Sequence, residues 1–326
     1  MATPLLEVRN LKKYFTSPAG TLHAVDGVNF AIQKGQTLGV VGESGCGKTT
    51  VGRTVLMLQQ PTDGEILYNG TNIAGYDNRK LKALRGKLQI IFQDPFSSLN
   101  PRMTVYEAIA HPLVINGLYK NSGAAEARVL SLMEMVGLTR RMVNTYPHEL
   151  DGGRRQRVVI ARALALEPEF IVCDEPVSAL DVSIQAQILN LLQDLQEEMG
   201  LTYLFITHNL AVVKHFSTGI AVMYLGQVVE MASSAALFAK PLHPYTQALI
   251  SAIPVANIHV KQRRILLKGE ITSPINPKPG CRFAKRCAYA RPECVAGEIP
   301  LEEAEPGHSV ACARWREVPN EKASVS

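Results

Sequence analysis

The segment Gly42-Glu43-Ser44-Gly45-Cys46-Gly47-Lys48-Thr49 fits the pattern G-x-x-x-x-G-K-[ST], and it constrains this chain more than any other feature. Glycines let the backbone wrap its N–H groups around phosphate oxygens, and a following helix adds the positive end of its dipole. The loop therefore needs a strand before it and a helix after it. The apolar run Thr37–Val41 supplies the first, and the chain from Thr49 onward reads as the second. A chance glycine-rich turn would need neither flank. In such a loop Lys48 reaches the β and γ phosphates of a nucleotide and the Thr49 hydroxyl ligates Mg²⁺. Cys46 fills a variable position and reads as a small space-filler rather than a nucleophile.

A second segment supplies matching chemistry. Phe170-Ile171-Val172-Cys173 is a short apolar run that ends in Asp174-Glu175. Ligands of α/β sheets bind at the carboxyl ends of strands, which suits Asp174 to hold Mg²⁺ and Glu175 to polarise an attacking water. Adjacent acids are common on surfaces, but rarely follow four apolar residues directly.

The rest of the chain predicts the scaffold. Leu5–Phe15 and Leu22–Ile32 alternate as strands around a turn at Pro18-Ala19-Gly20, and a further hairpin is expected at Thr62-Asp63-Gly64 leading into Glu65–Tyr68. Thr104–Leu164 reads as mostly helical. A buried strand, helix and strand then follow at Phe170–Cys173, Ser183–Met199 and Thr202–Ile206. Strands alternating with helices predict an α/β fold with a parallel central sheet. Near Pro241 the composition shifts, and Pro241–Gly280 holds six of the nineteen prolines. The expected division is 1–240 as one large domain, with a helical subdomain at about 95–165, and 241–326 as an extension. Asn320–Ser326 reads as a disordered end.

Composition excludes some classes. With 46% hydrophobic and 19% charged residues the chain can bury a core, and a net charge of +5 with no basic tract argues against nucleic acid as a partner. No apolar run approaches the roughly 18 residues of a membrane-spanning helix, and the start lacks a signal-peptide pattern. A transport role would need separate membrane partners.

These motifs, with several more, resemble the nucleotide-binding subunit of an ATP-binding-cassette (ABC) transporter over roughly residues 5–240. The resemblance implies an ABC-type P-loop ATPase domain, with a parallel-sheet core, an antiparallel β subdomain and a helical subdomain. Tyr14 takes the place of the aromatic that stacks on adenine. Gln93, in Ile91-Phe92-Gln93-Asp94-Pro95, matches the glutamine that contacts Mg²⁺ and the lytic water. Ser178-Ala179-Leu180-Asp181 matches the loop that crosses the dimer interface, and His208, in Ile206-Thr207-His208, the γ-phosphate switch. A lone histidine after a strand would ordinarily be structural; its place 33 residues beyond Glu175 in this ordered set favours function. The implied nucleotide-binding set is Tyr14, Gly42, Ser44, Gly45, Cys46, Gly47, Lys48, Thr49, Thr50, Gln93 and Asp174, with Asp151, Gly152 and Gly153 from the signature. Thr49, Gln93 and Asp174 would serve Mg²⁺, and Glu175, His208 and Gln93 catalysis. Members pair head to tail around two ATP molecules, and Pro95–Met103 lies where transporter members receive the coupling helices of their membrane partners.

The signature Leu150-Asp151-Gly152-Gly153-Arg154-Arg155-Gln156-Arg157 departs from the family pattern. Asp151 replaces the usual serine and Arg154 the usual glutamine. An ionised carboxylate has no proton to donate to a γ-phosphate and adds a like charge. Arg154 folding back would neutralise it; the bland reading is that Asp151 caps the next helix. The departure implies unequal sites: a competent one using Lys48, Asp174 and Glu175, and a degenerate one at Asp151. A paralogous second ATPase subunit is then expected as partner.

The remaining cysteines, Cys281, Cys287, Cys294 and Cys312, crowd into the tail with spacing C-x5-C-x6-C-x17-C. Without a secretion signal a metal site outranks disulfides. Four thiolates suit a [4Fe-4S] cluster or Zn²⁺, and the lack of tight C-x2-4-C knuckles favours the cluster as a structural staple. His308 could substitute as a ligand, but four cysteines suffice and its expected job is structural. The tail, from His243-Pro244-Tyr245-Thr246 through Arg286-Cys287 to Gly307-His308-Ser309-Val310-Ala311-Cys312, resembles the C-terminal extension of dipeptide and oligopeptide importer ATPases. That resemblance implies peptide import, two transmembrane permease subunits, an extracytoplasmic peptide-binding protein, and a peripheral place on the cytoplasmic face of the membrane. Nickel or another small solute is the alternative cargo, and a mainly regulatory subunit the alternative role. A soluble ABC ATPase acting on ribosomes or DNA would commonly carry two cassettes or a long coiled-coil insertion, and neither is present here.

Overall fold

The computed structural model describes residues 3–118, 122–254, 264–269 and 273–319. Asn320–Ser326, expected to be disordered, lie outside the described residues.

In chain order the strands are β1 (Leu6–Ser17), β2 (Gly20–Ile32), β3 (Thr37–Val41), β4 (Asp63–Tyr68), β5 (Thr71–Asn72), β6 (Leu88–Ile91), β7 (Phe170–Asp174), β8 (Thr202–Thr207), β9 (Gly219–Tyr224), β10 (Gln227–Ser233), β11 (Glu302–Glu305) and β12 (His308–Val310). The helices are α1 (Lys48–Val55), α2 (Asn78–Leu84), α3 (Pro95–Ser98), α4 (Val105–Ile115), α5 (Ser122–Met135), α6 (Gly152–Leu164), α7 (Val182–Met199), α8 (Leu210–Phe216), α9 (Ser234–Ala239), α10 (Pro244–Ser251) and α11 (Glu293–Ala296). None is long and apolar enough, among the described residues, to cross a membrane.

The chain forms two compact units. The first comprises residues 1–33, 37–75 and 205–326. Its antiparallel sheet runs β2-β1-β4-β5. The hairpin turn of this region is Asn69-Gly70, between Tyr68 and Thr71, and not Thr62-Asp63-Gly64 as the sequence suggested. Both Asn69 and Gly70 take positive φ, 49° and 76°, which a two-residue type I′ hairpin demands. Gly64 lies instead inside β4, where a Cβ would come within 2.4 Å of the Asn10 carbonyl oxygen. It is glycine because two strands approach closely there.

The same unit pairs β3 in parallel with β9, and β9 antiparallel with β10. The tail then extends this sheet, because β12 pairs antiparallel with β10 and β11 with β12. Buried Glu230 of β10 reinforces the junction, its carboxylate accepting the backbone N–H groups of Leu242 at 2.6 Å and His243 at 2.9 Å. His308 of β12 lies with Nε2 2.8 Å from the same carboxylate. A small tail with little core of its own is stabilised by completing a neighbour's sheet.

The second unit comprises residues 34–36 and 76–204. In it β6 and β7 pair in parallel, and helix α6 packs against β6. Thr104 and Glu107 form a capping box that starts α4. Helix α7 buries Ile188, Leu191, Leu192 and Leu195, one apolar stripe at helical spacing, and ends at Gly200 with φ 64°.

Candidate nucleotide site

In the first unit the loop Gly42–Gly47 connects β3 to α1, the strand-loop-helix order that phosphate binding requires. Two glycines are dictated by close packing. A Cβ on Gly47, at φ 105°, would lie 2.0 Å from the Ala24 carbonyl oxygen, and one on Gly42 would lie 2.2 Å from that of Met223. The Gly226 N–H donates to the Cys46 carbonyl at 2.8 Å, fixing the loop from the β9–β10 turn. Lys48 is buried, and its ammonium donates to the carbonyls of Gly42 at 2.8 Å and Glu43 at 3.0 Å. Ser44 and Gly45 are exposed, while Thr49 and Thr50, in the first turn of α1, are half-buried. Cys46 is buried, and burial pushes its thiol pKa up, so it stands as a neutral space-filler.

Tyr14 stacks on His23 with ring centroids 4.0 Å apart, and its hydroxyl donates to Asp26 at 2.5 Å. Burial raises Asp26, but hydrogen bonds from Tyr14, His23 and Arg282 outweigh it and hold the carboxyl below its ordinary range. His208 is exposed, one residue beyond β8.

In the second unit β7 ends at buried Asp174, and Glu175 follows at φ 49°, a left-handed conformation costly for a non-glycine residue. Gln93 donates its Nε2 to a Glu175 carboxylate oxygen at 3.2 Å, so two residues 82 positions apart are brought together. Asp151 is the N-cap of α6 and accepts the Arg154 N–H at 2.7 Å, while the Arg154 guanidinium folds back to 3.5 Å from the carboxylate. Both readings of Asp151, helix cap and partner of Arg154, are realised together. Gly152 and Gly153 leave room for Leu180 and Ile184, whose side-chain carbons would lie 3.1 Å and 2.8 Å from an added Cβ.

The four tail cysteines, Cys281, Cys287, Cys294 and Cys312, line one cavity of about 20 Å³ and form no disulfide. Burial pushes the Cys281 and Cys312 thiols up to about 11. The donor set is right in number and type for a four-thiolate group. Among the described residues, however, no group of three or more His, Cys, Asp or Glu side chains is arranged to hold a metal ion. The expectation of a [4Fe-4S] cluster therefore gains no support from the structure. His308, buried against Glu230, is engaged in joining the tail to β10.

Sequence reasoning missed three polar contacts around the loop. Arg286 clamps Glu43 with two hydrogen bonds, Nη1 to Oε2 at 2.7 Å and Nη2 to Oε1 at 3.0 Å. Tyr245 accepts the Glu43 backbone N–H at 2.9 Å, and Arg282 pairs with Asp26. These partners lie more than 200 positions from the residues they hold, and no local pattern announces them.

A strand-loop-helix phosphate site, a strand-end acid pair and a glycine-rich signature define an ATP-binding cassette. Residues 25–178 match the ABC transporter family and residues 229–294 the oligopeptide/dipeptide transporter C-terminal region. The chain belongs to the ABC transporter family of ATPases, and within it to the branch that carries this C-terminal region. It is 54% identical over 316 residues to the putative oligopeptide transport ATP-binding protein YkfD of Bacillus subtilis (strain 168), covering 96% of each chain. It is 50% identical over 310 residues to the oligopeptide transport ATP-binding protein OppF of Escherichia coli (strain K12), covering 94% of this chain and 92% of that one. Among solved structures it is similar to the dimeric cassette MJ0796 in a post-hydrolysis state bound to ADP and Pi. That match has a TM-score of 0.64 and 31% identity, over 70% of this chain and 98% of that one. It is also similar to cbiO1 from Clostridium perfringens, with a TM-score of 0.66 and 28% identity over 73% and 92%.

Proposed function

We propose that this chain is the ATP-hydrolysing subunit of a membrane importer for di- and oligopeptides. The observation that carries this reading is the union in one chain of the ABC transporter family's nucleotide-binding region with the oligopeptide/dipeptide C-terminal region. The names of the relatives support the same cargo. Lys48 and Thr49 serve the phosphates and Mg²⁺, Asp174 the metal, and Gln93 and Glu175 the attacking water. The carboxylate of Glu175, oriented by the Gln93 amide, accepts the water's proton as the water oxygen bonds to the γ-phosphorus and the bond from that phosphorus to the β,γ-bridging oxygen breaks, giving phosphate and releasing ADP. His208 senses the γ-phosphate, and Tyr14 stacks on the adenine.

Pairing with a second ATPase subunit, two permease subunits and an extracytoplasmic peptide-binding protein follows from this role, and places the chain peripherally on the cytoplasmic face of the membrane. Phe96 in α3 supports a docking role for the segment after Gln93: it is 61% exposed and held beneath the Arg155 guanidinium, 3.9 Å from the ring centroid. Purifying the assembled complex tests the reading. Peptide delivered by the binding protein should stimulate ATP hydrolysis, and Lys48→Ala should abolish it; stimulation by nickel instead of peptide would replace the cargo.

Cluster binding by Cys281, Cys287, Cys294 and Cys312 rests on the donor set alone. Iron and sulfide at about four of each per chain after anaerobic purification would support a [4Fe-4S] staple. Stoichiometric zinc, or neither, would overturn it.

A further inference from the structure

The tail does more than extend a sheet. Arg282 directly follows Cys281 and Arg286 directly precedes Cys287, so both arginines leave the wall of the four-cysteine cavity. Each reaches a different part of the nucleotide-binding half of the first unit. Arg286 is 9% exposed and grips the Glu43 carboxylate bidentately, inside the phosphate loop. Its guanidinium also faces the Tyr224 ring at 5.9 Å, and Tyr224 packs edge-on against Tyr245 and Phe283. Tyr245 holds the Glu43 backbone N–H at 2.9 Å. Glu43 is thus fixed at both its side chain and its backbone by residues beyond 240. Arg282, with its side chain 8% exposed, pairs with Asp26 and donates to the Leu225 carbonyl. Asp26 in turn accepts the Tyr14 hydroxyl.

We propose that Arg286 and Arg282 are positioning residues for the nucleotide, Arg286 setting the phosphate loop through Glu43 and Arg282 setting Tyr14 through Asp26. Neither arginine touches the nucleotide in this scheme. A bidentate, largely buried guanidinium–carboxylate pair fixes direction as well as distance, so it can hold the loop's N–H groups ready for phosphate before binding. The Asp26 bridge fixes the tilt of the Tyr14 ring instead. The inference rests on the phosphate-loop and Tyr14 roles proposed above.

The two arms predict different ligand dependence, which calorimetry on the full chain can read. The probes are MgATP and inorganic tripolyphosphate with Mg²⁺. Arg286→Ala should weaken both by about the same factor, on the order of tenfold, the scale of losing a charge-assisted hydrogen-bonded pair. Arg282→Ala should weaken MgATP and leave tripolyphosphate within about twofold, because tripolyphosphate has no base to stack. Arg286→Lys, which keeps charge but loses the fork, should fall between wild type and Arg286→Ala. Adding Glu43→Ala to Arg286→Ala should cost little more, since the partners act as one unit. Equal loss of both ligands in both alanine variants would mean general loosening of the tail and would overturn the proposal, as would unchanged binding in both. If wild type binds neither probe, or Lys48→Ala leaves tripolyphosphate binding intact, the phosphate-loop reading itself fails and the clamp with it.

Discussion

At residue 151 the carboxylate accepts the Arg154 N–H in the first turn of α6 and lies near the Arg154 guanidinium, with both side chains about half exposed. Serine is as good an N-cap as aspartate, so Asp151→Ser keeps the helix start and changes only what the signature offers a phosphate. Stability should move by no more than about 0.5 kcal/mol. The hydroxyl gains a proton to donate, and the like charge disappears. ATP hydrolysis by the assembled pair should therefore rise several-fold, read as steady-state turnover alongside thermal melts. Unchanged turnover would show that the Arg154 contact already compensates. This substitution was legible in the sequence because the signature has fixed spacing. The Glu43–Arg286 clamp was not, because its partners are 243 positions apart and neither belongs to a periodic pattern.

Among the elements, α10 carries a pH dependence of its own. His243 is its N-cap and is 1% exposed, and its Nδ1 accepts the Tyr245 N–H at 3.1 Å, which requires a lone pair on that nitrogen. Burial lowers its pKa to about 4, and nearby Glu230 only partly opposes that shift. A depressed histidine pKa means that the unfolded chain binds the proton first. The contribution is complete above about pH 6.5 and is lost as pH falls toward about 4, an effect on the order of 3 kcal/mol. His243→Asn keeps a capping acceptor without a titrating group. Its melting temperature should fall less than that of wild type between pH 6.5 and 4.5, although at pH 7.5 it should be the less stable of the two. Equal slopes would refute the assignment. The elements themselves show where sequence reading works. Strand β3 and the start of α1 were legible from an apolar run beside a motif. The hairpin was misplaced because Asp63-Gly64 and Asn69-Gly70 both look like turns, and only strand register distinguishes a turn from a close approach.

For the whole molecule, the proposed asymmetry makes the sharpest demand. The phosphate loop, Asp174, Gln93 and Glu175 are all present, with Glu175 held by Gln93, while the signature this chain would lend to a partner carries an acid. If two such subunits pair head to tail, the chain's own catalytic groups meet the partner's signature, and its Asp151 meets the partner's phosphate loop. Removing the base from each subunit in turn distinguishes the two sites. Glu175→Gln keeps the side chain's shape and its hydrogen bond to Gln93 but cannot accept a proton, so turnover in the assembled complex should drop by a factor of about 10² or more. The same change at the partner's equivalent glutamate should cost at most a few-fold, because that site would contribute little to begin with. Both variants should still bind ATP, which trapping with a fluorescent analogue can verify before rates are compared. Equal loss from the two changes would mean equivalent sites, and Asp151 would then be only the cap of its helix.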